Sequence, residues 1–245
     1  MTKRTFATLL KQKAYHTIKS RILLNVLRPG ENLGENELSI EFGLSRTPIR
    51  EILSQLENER LVKQIPYMGT FVTQLTKEDA RELYEIRGAL EVLAARTSVM
   101  RIPERELNDM ELVYKRAVAE FNENSGLAAS NEFRKLHDLI IAYAENRRLS
   151  MFIHSLDNES QRIISILYQS PEYTPIDPLN EKYRILLALR SRDTEKVIPL
   201  ITEHYINSIQ VAVSFLPSRS EIPENQITPF TPALLNSAFS YPLIK

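Results

Sequence analysis

The 245-residue chain has no cysteine and only six glycines. Without cysteine there are no disulfides, thiolate metal sites or cysteine nucleophiles, which fits a reducing, cytoplasmic setting. Six glycines leave little material for phosphate-cradling loops, and no Gly-x-Gly-x-x-Gly, Walker or Gly-x-Ser-x-Gly run occurs. The four histidines form no metal-enzyme motif. These absences argue against an enzyme, even one fused to another module. No stretch approaches the roughly 18–20 uncharged apolar residues of a membrane span, and the start of the chain lacks a signal-peptide apolar core.

What is present is ordinary for a globular protein: 43% hydrophobic and 25% charged residues, enough for one large domain or two small ones. Net charge is zero but unevenly placed. Residues 1–76 carry 11 Lys and Arg against 7 Asp and Glu, so the remaining 20 basic and 24 acidic residues leave the rest of the chain at −4. That asymmetry suggests a small anion-binding module on an acidic body.

Ala14, Ile18, Ile22 and Val26 mark one face of a first helix, stopped by Arg28-Pro29-Gly30. A short second helix spans Glu35–Phe42 and ends at Gly43. Ser45 is placed to cap a third, in which Ile49, Ile52, Leu53 and Leu56 form a buried stripe. Two strands, Val62–Ile65 and Thr70–Leu75, flank Pro66-Tyr67-Met68-Gly69 as a hairpin. From Thr76 onward the pattern is helical only. Helices are expected from Thr76 through Thr97 and over about 103–124, 127–145, 148–169, 179–191 and 194–215. The sequence therefore reads as mainly α: a winged helix-turn-helix over 1–76, an all-α antiparallel bundle over 77–216, and an extended proline-rich tail over 217–245.

Arg46 and Arg50 lie four apart, opposite the apolar stripe of the third helix. A phosphate or guanine edge between them would offset their repulsion, and Ser45, Thr47 and the helix N-terminus add donors. A solvated arginine pair is the bland alternative.

The run Gly43-Leu44-Ser45-Arg46-Thr47-Pro48-Ile49-Arg50-Glu51-Ile52-Leu53, with Pro29-Gly30, Leu33–Leu38 and the wing Gly69-Thr70-Phe71-Val72, resembles the DNA-binding domain of the GntR family of bacterial transcriptional regulators. The resemblance implies a homodimer on a palindromic double-stranded operator, with repression as the default. Ser45, Arg46, Thr47 and Arg50 would then contact the major groove, Gly69 at the wing tip would approach the minor groove, and Asn36 stands where some relatives carry a contacting arginine. Leu83–Glu91, His137 with Asn146, Leu186–Asp193 and His204 resemble the helical ligand-binding FCD domain of the FadR-type subgroup.

In many such domains an Asp and three His hold a divalent metal. Here Phe133 stands at the Asp position and Lys182 at that of the middle His, leaving His137 and His204. No cofactor and no metal are expected; in the alternative of a metal-dependent sensor, Asn131 or Asp138 would move in as a substitute ligand. A lysine in the metal's place suits an anion instead. Arg87, His137, Lys182 and His204 are therefore the expected contacts of a small organic-acid effector. In the alternative, Lys182 pairs with a carboxylate such as Glu91 and the helical domain only dimerises. Tyr168, Tyr173 and Tyr183 are candidates for pocket or packing, and His16 and His154 have no special role.

Overall fold

The structure is a computed structural model that describes residues 3–119, 132, 134–173 and 176–223. Phe133 and Asn131 lie outside the described residues, as does the tail beyond residue 223.

Helix α1 (Lys3–Leu23) begins well before the expected start and buries Ala14, Ile18 and Ile22. Helix α2 (Glu35–Phe42) ends at Gly43, whose left-handed φ of +61° lets its N–H reach the carbonyls of Ser39 and Ile40. Helix α3 (Arg46–Asn58) buries Ile49, Ile52, Leu53 and Leu56 against them. Strands β1 (Val62–Ile65) and β2 (Gly69–Val72) pair antiparallel, with Val62 opposite Val72 and Ile65 opposite Gly69. The second strand stops at Val72, not Leu75. At Thr73 the chain turns inward: its N–H donates to the Leu61 carbonyl, and its hydroxyl donates to that of Arg60.

A second core is built by helices α4 (Lys77–Ser98), α5 (Glu104–Ala119), α6 (Lys135–Ala142), α7 (Arg147–Ser155), α8 (Asp157–Tyr168), α9 (Ile176–Arg190) and α10 (Thr194–Phe215). Thr76 and Asp79 close a capping box at the start of α4. Helices α4 and α10 pack so closely at Gly88 that a Cβ there would lie 3.1 Å from Tyr205. The expected helix over 148–169 is two helices. Arg87, reaching over from α4, donates to the Ile153 carbonyl (3.3 Å) and to Asp157 (2.9 Å), so α7 ends and α8 begins at Leu156. After α10 the chain folds back: Lys77 donates its N–H to the Pro217 carbonyl, and Arg219 pairs with Asp79 at 2.7 Å.

The two cores are joined by polar contacts. Arg162 of α8 is 2% exposed and donates to both the hydroxyl and the carbonyl of Thr73. Gln169 donates to the Leu24 carbonyl and accepts from Asn25.

Candidate functional site

The α2–α3–wing surface holds Asn36, Ser45, Arg46, Thr47, Arg50 and Gly69, all exposed. Ser45 occupies the N-cap of α3 in extended conformation, yet its side chain makes no capping bond. The first-turn N–H groups of α3 and the Ser45 hydroxyl are thus free of each other, a configuration suited to an anion. Arg50 holds Glu35 through Nε at 2.8 and 3.0 Å, with its side chain 65% exposed. An ion pair that open to water is weak and exchanges readily for a phosphate.

At the hairpin tip the structure differs from expectation. Gly69 is the first residue of β2, with φ +117°, and the outermost side chain is that of Tyr67, fully exposed at a left-handed φ of +64°. A glycine in a turn is an ordinary sign of positive φ, whereas nothing in the sequence marks Tyr67 as adopting it. A bulky residue held there is strained by roughly 1–3 kcal/mol.

In the helical part, Arg87, His137, Lys182 and His204 come together from α4, α6, α9 and α10 around a cavity of about 330 Å³. Tyr168 and Tyr173 also line it, whereas Tyr183 stacks on Tyr114 with ring centroids 3.9 Å apart. His154 is exposed and bonded to Ser150, and His16 packs on Tyr15.

Each of the two cavity histidines has one nitrogen committed. His137 Nδ1 lies 2.7 Å from the fully buried Glu91, and His204 Nδ1 lies 2.7 Å from Glu181. Tyr205 also donates to Glu91. Burial opposes the charge on Glu91, but His137 and Tyr205 more than compensate and bring its carboxyl down to about 2. Burial, together with His137 and Lys182, pushes His204 down to about 4, so it is neutral near pH 7. Asp157 and neighbouring groups hold Arg87 charged despite its burial.

Lys182 is different. It is 6% exposed, and among the described residues its ammonium makes no hydrogen bond or ion pair. Glu91, the partner considered from sequence, is taken by His137 and Tyr205. Burial lowers Lys182 to about 8, which Glu91 and Glu181 resist from a distance, so most of it stays charged near neutrality.

The donor set does not fit the divalent metal of related domains. An ammonium has no lone pair to give, and no group of three or more suitable side chains converges among the described residues.

Comparison with known proteins fits both surfaces. Residues 10–72 match the gntR family of bacterial regulatory proteins, and residues 82–207 match the FCD domain. The chain belongs to the FCD-domain regulators of the gntR family. It is thus a DNA-binding transcriptional regulator and not an enzyme. The regulator is 28% identical over 194 residues to the uncharacterised HTH-type transcriptional regulator YdhC of Bacillus subtilis, covering 78% of this chain and 85% of YdhC. It is also 28% identical to a probable D-xylose utilization operon transcriptional repressor of Paenarthrobacter nicotinovorans, over 83% of this chain and 88% of that protein. A putative GntR regulator from Rhodococcus sp. RHA1 shares the fold, with a TM-score of 0.69 at 20% identity over 83% of this chain and 97% of that one. Among the described residues no helix is long and apolar enough to cross a membrane.

Proposed function

We propose that the regulator is a homodimeric repressor whose hold on a palindromic operator is modulated by a small carboxylate bound in the helical domain. Asn36, Ser45, Arg46, Thr47, Arg50 and Gly69 would meet the DNA, and Arg87, His137, Lys182 and His204 the effector. Repression is supported by relatives such as the Paenarthrobacter protein, named a probable repressor. Exposed Ile86 and Leu93 of α4, seven residues apart on one face, and Ile206 of α10 offer an apolar face for a second copy.

The observation that carries the effector reading is Lys182, a side chain only 6% exposed that lines the cavity and whose ammonium has no ion-pair partner among the described residues. A buried cation in that state costs stability unless an anion joins it. A helical domain that served only to dimerise would gain nothing from it.

Thermal unfolding with malonate, succinate and citrate tests this. A carboxylate at a hundred times its Kd adds about 2.7 kcal/mol and moves the midpoint by several degrees. The shift should vanish in Lys182→Met. If no carboxylate stabilises the wild type, the effector class is wrong.

A further inference from the structure

Helix α8 has two faces with different neighbours. Ser160, Ile164, Leu167 and Tyr168, at the i, i+4, i+7 and i+8 positions of one stripe, line the cavity. About half a turn round the same helix lie Glu159 and Arg162, followed by Gln169, and these meet the winged domain. Glu159 stands 4.0 Å from Arg60, and Gln169 is bonded to Leu24 and Asn25. Arg162 is the strongest tie. Its guanidinium is buried, and its hydrogen-bond partners among the described residues are the hydroxyl and carbonyl of Thr73, each at 2.5 Å. Thr73 is itself fixed to the end of α3 and the start of β1 through Arg60 and Leu61. The near end of α8 is held by Arg87, which lines the cavity and binds Asp157.

A buried cation cannot trade a lost partner for water without a large cost, so such a joint is made or broken and does not slacken gradually. A twelve-residue helix between a cavity and a joint of this kind is placed to carry a displacement from one to the other, as a lever would.

We propose that α8 transmits the state of the cavity to the winged domain: an occupant pressing on Ser160, Ile164 or Tyr168 shifts α8, the Arg162–Thr73 joint changes with it, and so does the freedom with which α3 is presented to DNA. This rests on reading the cavity as an effector pocket, but its test needs no effector. Ile164→Trp fills the cavity from within. Affinity for double-stranded DNA selected by the full-length protein from a random pool is measured for wild type, Ile164→Trp, Arg162→Met and the double variant.

Filling the cavity should change affinity at least fivefold in the wild-type background and less than twofold in Arg162→Met. Equal changes in both backgrounds, or none in the wild type, would overturn the proposal. Should Arg162→Met fail to fold, Thr73→Val serves as the background, since it removes the hydroxyl partner and keeps the carbonyl. There the change should fall at least by half, and an undiminished change counts against the joint. The carboxylate thermal shift, run on the same proteins, separates the two readings. Carboxylate binding that leaves DNA affinity untouched defeats the lever and spares the pocket. A lever that works in a protein no carboxylate stabilises does the reverse.

Discussion

The winged domain and the helical domain place charge in opposite surroundings. Arg46 and Arg50 are exposed, and the carboxylate on Arg50 is one that water can replace. Arg87, Arg162 and Lys182 are each at most 6% exposed; the two arginines are held by fixed neighbours, and Lys182 has no ion-pair partner among the described residues. Exposed charge suits a partner that comes and goes with ionic strength, as DNA does. Buried charge depends on partners that the fold itself holds in place, because water is not there to replace them. The two domains should therefore respond very differently to loss of a carboxylate. Glu91→Ala strands His137, Tyr205 and nearby cations, and should lower stability by about 3–5 kcal/mol in denaturant unfolding. Glu35→Ala, facing Arg50, should change it by about 1 kcal/mol or less. Comparable losses at the two sites would break the contrast.

The next effect sharpens it with pH. His204 is held near 4 in the folded protein, below the 6.5 of an unfolded chain. Between those values the unfolded state binds the extra proton, so stability falls as pH drops from 6.5 to 4, by roughly 3 kcal/mol. His204→Gln should flatten that segment of the stability–pH curve. The fall below pH 4.5, where Glu91 resists protonation down to about 2, should remain. A curve for His204→Gln that falls as much as the wild type between 6.5 and 4.5 would place the titration elsewhere.

On the winged side the corresponding measurement is affinity, not stability. Arg46→Ala and Arg50→Ala should each weaken specific DNA binding by about 1–3 kcal/mol, roughly fivefold to 150-fold, while the unfolding midpoint hardly moves. Unchanged binding by both variants would mean that α3 is not the recognition helix.

How much of this was readable in the sequence follows the same division. The α3 stripe is local, with spacing set by the helix itself, and Ile49, Ile52, Leu53 and Leu56 are buried as that spacing predicts. The meeting of Arg87, His137, Lys182 and His204 was reached only through resemblance, because no periodicity links four separate helices. Three features left no local signal. Glu91 as partner to His137 lies 46 residues away. The break at Leu156 has no proline or glycine to announce it, since Arg87 makes it from another helix. Arg162 and Thr73, 89 residues apart, are a common arginine and a common threonine until the fold buries them together.

The smallest effect concerns the wing, where a strained residue lies on the exposed side of the comparison. Tyr67 holds φ +64° with its ring in water, in a turn closed by the Met68 N–H on the Ile65 carbonyl. Glycine adopts that conformation freely, although it also gains entropy in the unfolded chain, so the two effects partly offset. Tyr67→Gly should therefore raise stability by about 1 kcal/mol at most, visible as an upward shift in the unfolding midpoint. A fall of more than about 1 kcal/mol, beyond what the entropy of glycine accounts for, would show that the ring packs on something in solution, and the wing would then belong with the buried half of the molecule. A rise would leave the tyrosine without a structural reason to be there, and comparing DNA affinity of the same variant with wild type would then show whether the strain is kept for the operator.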